Sequence, residues 1–253
     1  MYRPHCTLYR DVFGLRLRFI HRSPRSTLLA TYFASSSFRN GLHMSPACVT
    51  NSARPFDRRK LMDNVIGQID RALDATSVIV AALDESSLAA PTPCREWDVR
   101  AVLNHTVGGM HIFAAALSGT DSGADHESDW LGGDPQGAYA AAAEVDRAAW
   151  HRPDALDNTV SIPLGALPAP MAALVHLTEL VVHGVDIAVA IGRADLTDDV
   201  LCGELLATMQ ARGGIDQFRA PGIFGAEVVV EEGQPAHRRL LGYAGREVLA
   251  RTP

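Results

Sequence analysis

The sequence predicts an all-α protein, an antiparallel four-helix bundle with a small helix and strand extension at its C-terminal end. Three observations lead to this fold class. The 253-residue chain is 47% hydrophobic but only 6% aromatic, and its abundant alanine favours helix over sheet. Four long segments place apolar residues at helical spacing. Polar loops separate these segments, as expected when successive helices pack side by side in a bundle.

The first 61 residues differ from the rest of the chain and are left out of the predicted fold. Residues 1–60 carry eleven Arg or Lys and two acids, whereas the remaining residues carry twelve basic and twenty-seven acidic side chains. This Arg- and Ser-rich segment is similar in composition to a transit peptide. A start codon assigned too early, with Met44 or Met62 as the true start, is the simpler explanation. We expect a disordered or wrongly assigned segment over 1–61 and one domain over 62–253.

Each predicted helix rests on its apolar period and on signals at its ends. Asp98 is a good N-cap for the second helix, and Pro135 suits the first turn of the third. Gly192 is expected to end the fourth helix, and Thr197 is expected to cap the fifth. In chain order, the predicted helices are Asn64–Leu83, Val99–Leu117, Pro135–Trp150, residues 169–191 and Asp198–Arg212.

Between and after these helices, the sequence predicts loops and a small extension. Ser86–Pro93 and the Gly-, Ser- and Asp-rich Ser118–Asp134 are expected to be loops. His151–Pro170 contains four prolines and is expected to be irregular. In the extension, Ala226–Glu231 has the pattern of a strand, and a short helix is predicted near Pro235–Tyr243.

The fourth helix carries the most informative pattern in the chain. Residues 171–192 are apolar almost all the way round, which is typical of a buried helix. His176, Glu179, His183 and Asp186 interrupt this segment at steps of three, four and three, so they share one narrow stripe. Burying unpaired ionisable groups costs roughly several kcal/mol each. A metal ion is the simplest partner for a Glu and a His four residues apart.

His105 is the candidate for a third ligand from another helix. Its neighbours one turn away are small or apolar, including Gly108 and Gly109, so we expect it on the buried face of the second helix. Two glycines inside a helix cost about 1 kcal/mol each relative to alanine, and close approach of another helix or of a ligand would offset that cost. The alternative, a core histidine bonded to a carbonyl, stays open. His111 lies off this face.

Three further residues have both a functional and a structural interpretation. Asp186 would orient His183 through its second ring nitrogen, or it is a helix-end acid paired with an Arg. His176 is a pocket or supporting residue of the same stripe, or an ordinary buried histidine. Cys94 precedes a helix, where a thiolate is favoured, or it is a small buried residue. No Gly-x-Ser-x-Gly, phosphate-loop or dinucleotide motif is present in the sequence.

Composition narrows the partners and the compartment. The acidic body argues against nucleic acid, because phosphate contact needs a basic face. The four cysteines form no Cys-x-x-Cys pair, which favours a reducing cytoplasm over a disulfide framework. The fourth helix is long enough to span a bilayer, but its acids and histidines argue against membrane insertion. We therefore expect a cytoplasmic protein with no membrane and no nucleic acid as partner.

Two segments resemble a known family. Pro-Thr-Pro-Cys-Arg-Glu-Trp-Asp-Val-Arg-Ala-Val-Leu-Asn-His at 91–105 and Glu-Leu-Val-Val-His-Gly-Val-Asp-Ile-Ala at 179–188 look like the metal-binding domain of mycothiol-dependent maleylpyruvate isomerase. That domain belongs to the DinB-like four-helix-bundle superfamily. Residues 220–230 and 239–246 resemble one actinobacterial branch of it. The family motif often has Trp after its His-Gly pair, whereas Val185 stands there in this chain.

The resemblance implies a site and a chemistry. Carried over by motif, His105, Glu179 and His183 are the ligands of Zn²⁺ or another divalent metal. A small thiol such as mycothiol would be the cosubstrate and would attack a small electrophilic substrate, giving transferase or isomerase activity in which the protein supplies no nucleophile. Two alternatives remain: a non-catalytic metal- or ligand-binding protein, and a metal-free bundle in which these three side chains hydrogen-bond one another.

Overall fold

The protein is mostly helical, with a small two-stranded sheet. The computed structural model describes residues 58–162, 165–219 and 224–247; the predictions made for residues 1–57 lie outside this part of the chain. Short 3-10 helices occupy Glu85–Ala89, Ala194–Leu196 and Asp216–Phe218. The longer elements are the helices α1 (Arg58–Ala81), α2 (Val99–Ser118), α3 (Pro135–Trp150), α4 (Ala169–Ala190), α5 (Asp199–Ala211) and α6 (Ala236–Tyr243), and the strands β1 (Thr159–Ile162) and β2 (Gly165–Pro168).

The five predicted helices are present, with small shifts at their ends. α3 matches its predicted bounds, α2 and α4 differ by one residue at the C-terminal end, and α5 differs by one residue at each end. α1 begins at Arg58, six residues before the predicted start, so the helix begins four residues before the expected domain start at residue 62. Helical spacing therefore located the long helices. The start of α1 was missed because it lies in residues 1–61, which were left out of the predicted fold on the basis of their composition.

Three of the four predicted helix-end signals are confirmed, among them Pro135 in the first turn of α3, and one is wrong. The Asp98 carboxylate accepts a hydrogen bond from the Ala101 amide at 2.8 Å, as an N-cap does. Gly192 has φ of 73° and follows the last turn of α4, where a left-handed residue commonly ends a helix. Thr197 does not cap α5, because its hydroxyl donates to the Ala194 carbonyl. Asp198 is the cap and accepts from the Leu201 amide at 2.9 Å.

The structure corrects the expectations for the non-helical segments. His151–Pro170 is not wholly irregular, because β1 and β2 form an antiparallel hairpin within it and Val160 and Ile162 face the core. The predicted strand Ala226–Glu231 is wrong: these residues form no strand. Val228 instead donates its amide to the Gly242 carbonyl at 2.9 Å, so the run lies along α6 without a partner strand. An all-α class was therefore too strict, given the hairpin.

The long helices pack on one another around one shared core. α1 packs against α3 and α4, and α2 also packs against α3 and α4, while α5 and α6 pack on each other and on α4. α4 is long and apolar enough to cross a membrane by length and composition, but 78% of its most apolar window is buried inside the protein. That burial is typical of a core helix. The antiparallel bundle itself stays a prediction.

Candidate metal centre

Three sequence-predicted residues come together between α2 and α4. Oε2 of Glu179 lies 3.1 Å from Nε2 of His105 and 3.2 Å from Nε2 of His183. The ligand atoms of these three residues all lie within 4.8 Å of one another. His105 reaches the group from α2, and the i, i+4 spacing on α4 brings Glu179 beside His183. Their role as metal ligands stays a prediction.

The group is buried on one side and accessible on the other. The His183 side chain is 7% exposed and the Glu179 side chain 39% exposed. The Trp97 ring lies 4.7 Å from the ring of His105 and 5.8 Å from that of His183. A ligand can therefore approach from the Glu179 side, while an aromatic wall borders both histidines.

A tight turn before α2 places Trp97. The Trp97 amide donates to the Cys94 carbonyl at 2.8 Å, and the Thr92 hydroxyl donates to the Trp97 carbonyl at 2.8 Å. A backbone bridge between Pro91 and Asp98 closes the same turn. Sequence reasoning did not single out Trp97, although it stands in the segment that carried the family resemblance.

Hydrogen bonding sets the charges of the three groups. Burial alone would raise the pKa of Glu179, but hydrogen bonds from His105 and His183 outweigh it and hold that pKa well below its usual value. Burial alone would lower the pKa of His183, but hydrogen bonds to Asp186 and Glu179 raise it to about 9. Burial lowers the pKa of His105. Without metal and near neutral pH, these shifts favour a carboxylate at Glu179, an imidazolium at His183 and a neutral imidazole at His105.

Asp186 contacts both a histidine and an arginine, the two alternative partners that the sequence suggested. Its Oδ2 lies 3.1 Å from Nδ1 of His183 and 3.5 Å from Nε of Arg246. The Asp186 side chain is fully buried, so its charge is balanced by these two cations rather than by water. Arg246 follows α6, and only the tertiary structure brings it to the site.

Cys94 lies beside this cluster in its thiol form. Cys94, His183 and Asp186 also place ligand atoms within 4.8 Å of one another. Burial, aided by the negative charge of Asp186, raises the pKa of the Cys94 thiol to about 11. The structure thus agrees with the small, partly buried residue and not with the thiolate that its place before a helix suggested.

His176 lies against a different group of side chains. Its Nε2 is 2.7 Å from Oδ2 of Asp146 on α3, and both side chains are almost fully buried. Its ring also contacts Phe113 at 4.4 Å and Trp150 at 5.6 Å. Within the described residues, the contacts of His176 are with α2 and α3 side chains and not with the three candidate ligands.

The loop between α2 and α3 also reaches the centre. The His126 ring stacks on the His105 ring at 4.2 Å. Sequence reasoning did not identify His126, yet the adjacent glycines Gly108 and Gly109 in α2 indicated a close approach. A Cβ on Gly108 would lie 2.6 Å from Nε1 of Trp130 in the same loop. The close approach at Gly108 is therefore made by this loop, whereas another helix or a ligand was expected.

Comparison with known proteins places this chain in a family. The profile of the mycothiol maleylpyruvate isomerase N-terminal domain matches residues 69–188, which include all three candidate ligands. Two uncharacterized Mycobacterium tuberculosis proteins, Rv0738 of strain H37Rv and MT0763 of strain CDC 1551, are each 32% identical over 180 residues. The match spans 70% of this chain and 95% of each relative.

The chain belongs to the mycothiol maleylpyruvate isomerase N-terminal domain family. The family match ends near Ala188, so Arg246 reaches the site from outside the matched segment. No solved structure matches this chain closely enough to add to the comparison.

Proposed function

We propose that this protein binds a divalent metal ion, most simply Zn²⁺, through His105, Glu179 and His183, and uses it to activate a small thiol toward an electrophilic substrate. The observation that carries the proposal is the convergence of two Nε2 atoms on one carboxylate oxygen at 3.1 and 3.2 Å. Two histidines and one carboxylate form a common ligand set of catalytic zinc.

The separations of Glu179 from the two histidines fit such an ion. Ligand atoms about 2.1 Å from a tetrahedral ion lie about 3.4 Å apart, close to the separations of Glu179 from each histidine. Asp186 would keep the Nδ1 proton of His183, so Nε2 is the atom left free for the metal. The His183 imidazolium would lose its Nε2 proton on binding, because metal-bound histidine is neutral at that nitrogen.

The exposure of the Glu179 side of the site supports catalysis over a structural role. Three protein ligands leave one coordination position open, as in catalytic rather than structural zinc sites, and the partly exposed Glu179 leaves that side reachable. When bound, the ion supplies a thiol cosubstrate with the charge that keeps it as thiolate at neutral pH. Trp97 would border the reacting group and restrict water beside it.

The family suggests the class of thiol and substrate. The family is named for mycothiol and for maleylpyruvate isomerisation, so we propose mycothiol or a related small thiol as cosubstrate and a small electrophile as substrate. The reaction would be thiol transfer, or reversible addition that allows isomerisation of a double bond. We further propose that α1 to α4 form the DinB-like antiparallel bundle and that the protein acts in the cytoplasm.

A metal-free role is the second candidate, and one observation favours it. Glu179 already accepts hydrogen bonds from both histidines, so these three side chains have hydrogen-bond partners without an ion. In that case the three residues would be a polar element of the core.

Metal content of the purified full-length chain, measured by elemental analysis after zinc reconstitution and dialysis, separates these functions. We expect near-stoichiometric zinc in the wild type, its loss in His183→Ala and His105→Ala, and its retention in His151→Ala, which removes an exposed histidine bonded to Asp70. A wild type that retains no zinc would exclude the proposed metal site and favour the metal-free role, in which the three side chains hydrogen-bond one another.

Turnover then separates an enzyme from a metal-binding module. The zinc-loaded chain is assayed for loss of maleylpyruvate, and for conjugation of a small electrophile, with and without mycothiol. We expect thiol-dependent turnover that disappears in His183→Ala. Stoichiometric zinc without any thiol-dependent reaction would favour a non-catalytic metal-binding protein.

A further inference from the structure

We propose that His126 is a positioning residue for the metal ligand His105. Beyond the three ligands, this assigns a role to the loop between α2 and α3, residues 119–134, referred to below as the α2–α3 loop. The inference rests on the proposed metal site, since it concerns the orientation of one of its ligands.

His126 contacts both the ring and the backbone of His105. The two imidazole rings stack at 4.2 Å with an angle of 28° between their planes. Nε2 of His126 lies 3.1 Å from the His105 carbonyl oxygen. A carbonyl can only accept, so Nε2 of His126 carries the proton and donates. These two contacts hold the His126 ring over the ligand and restrict rotation of the His105 side chain.

The two histidine ligands are oriented in different ways. His183 is held through Nδ1 by the carboxylate of Asp186, the usual device for a metal-bound histidine. Among the described residues, the hydrogen bond of the His105 ring goes to Glu179. Ring contacts from Trp97 and His126 take the place of a supporting carboxylate. His105 therefore depends on its neighbours' rings for its orientation.

The α2–α3 loop is anchored to α2 on both sides of His105. The Asn104 amide donates to the Ser128 carbonyl at 2.9 Å, and its oxygen accepts from the Trp130 amide at 2.8 Å. Three residues after His105, the missing side chain of Gly108 leaves room for the Trp130 ring, because a Cβ there would lie 2.6 Å from Nε1. The loop thus brings His126 to a defined place and does not merely pass near it.

Zinc affinity of the full-length chain, measured by chelator competition, tests this role. We expect His126→Ala to weaken zinc binding about tenfold or more, the effect typical of losing a residue that orients a ligand. His126→Phe keeps a stacking ring and is expected to recover most of that loss. The matched control is His111→Ala, because His111 stacks on Trp130 of the same loop at 5.0 Å without touching a ligand. Wild-type affinity in His126→Ala, or an equal loss in His111→Ala, would overturn the inference.

A pair of adjacent glycines tests the same role without changing His126. Gly108→Ala is expected to displace Trp130 and the α2–α3 loop and to weaken zinc binding. Gly109→Ala meets only His126 Nε2 at 3.8 Å, an ordinary contact, and is expected to keep near wild-type affinity. Urea unfolding of the metal-free variants checks that each one is folded. Equal zinc affinities for the two variants would contradict the inference.

A metal-independent readout separates this inference from the proposed function. Three-bond couplings measured by NMR report the χ1 rotamer of His105 in the metal-free protein. We expect one rotamer in the wild type and averaging in His126→Ala. If the wild type binds no zinc, the proposed function fails, while averaged couplings would still support positioning by His126. One unchanged rotamer in His126→Ala would overturn positioning whether or not zinc binds.

Discussion

Nδ1 of His183 lies in hydrogen-bonding distance of Oδ2 of Asp186, at 3.1 Å, and this contact joins a candidate ligand to a fully buried carboxylate. Such a contact fixes the ring orientation and raises the basicity of the nitrogen that faces the metal. The relationship follows from one turn of α4, because residues three apart on a helix are neighbours.

Removing the charge of Asp186 is predicted to weaken metal binding. We expect Asp186→Asn to lower zinc affinity about tenfold and up to a hundredfold, because the supporting hydrogen bond loses its charged acceptor. Chelator competition on the full-length chain measures the change. Asp195→Asn, which removes an exposed carboxylate paired with Arg193, serves as the control. Equal affinities of the two variants would contradict a supporting role for Asp186.

Metal binding is predicted to strengthen as pH rises. The pKa of His183 is raised to about 9 in the metal-free site, so a proton must leave before its Nε2 can bind an ion. Below that pKa, each decrease of one pH unit is expected to lower the apparent affinity for the metal about tenfold. Competition at pH 6.5, 7.5 and 8.5, corrected for the chelator's own protonation, measures this slope. A flat profile would show that no histidine proton is displaced.

The same shift predicts how the metal-free fold responds to pH. A histidine pKa raised above its usual value stabilises the fold fully below that usual value, near 6.5, and the contribution is lost as pH rises through about 9. Urea unfolding of the metal-free chain should therefore show a decrease in stability over this window. His183→Gln should lack that decrease; a similar decrease in the variant would assign it to other groups.

Gly184, the residue after His183, is predicted to be intolerant of a side chain. A Cβ there would lie 2.6 Å from the Thr76 hydroxyl of α1, so Gly184→Ala should cost about 1–3 kcal/mol of unfolding free energy through overpacking. Gly67→Ala in α1 meets nothing within 4 Å and should stabilise by up to about 1 kcal/mol through helix propensity. Urea denaturation compares them. Stabilisation by both would disprove the close approach of α1.

The buried pair of His176 and Asp146 is predicted to affect stability and not the metal site. Each single change, His176→Leu or Asp146→Leu, should cost about 3–5 kcal/mol by leaving one buried polar partner alone. The double variant should recover much of that loss, because Asp146 Oδ1 and His176 Nδ1 have no hydrogen-bond partner among the described residues. Zinc affinity of the double variant should equal that of the wild type. A large loss of zinc affinity in the double variant would indicate that His176 does support the metal site.

Local signals in the sequence predicted the helices well and the other segments poorly. Helical spacing and the Asp98 cap depend on residues within one or two turns, so they could be read directly. Thr197 was predicted as the cap and its neighbour Asp198 as the first helical residue, but the cap is the residue whose side chain reaches the Leu201 amide, which is Asp198. The hairpin was missed because its strands have four residues each, too few for a clear alternation among prolines.

The sequence by itself determined which residues share a stripe on α4, because helix geometry alone brings Glu179, His183 and Asp186 to one face. It also marked His105 by its small and apolar surroundings. Only the tertiary structure decided that His105 meets that stripe, that His176 faces Asp146 instead, and that Arg246 and His126 reach the site. Those contacts join residues far apart in the chain, and they depend on how the helices pack and where the loops cross them, which no local period encodes.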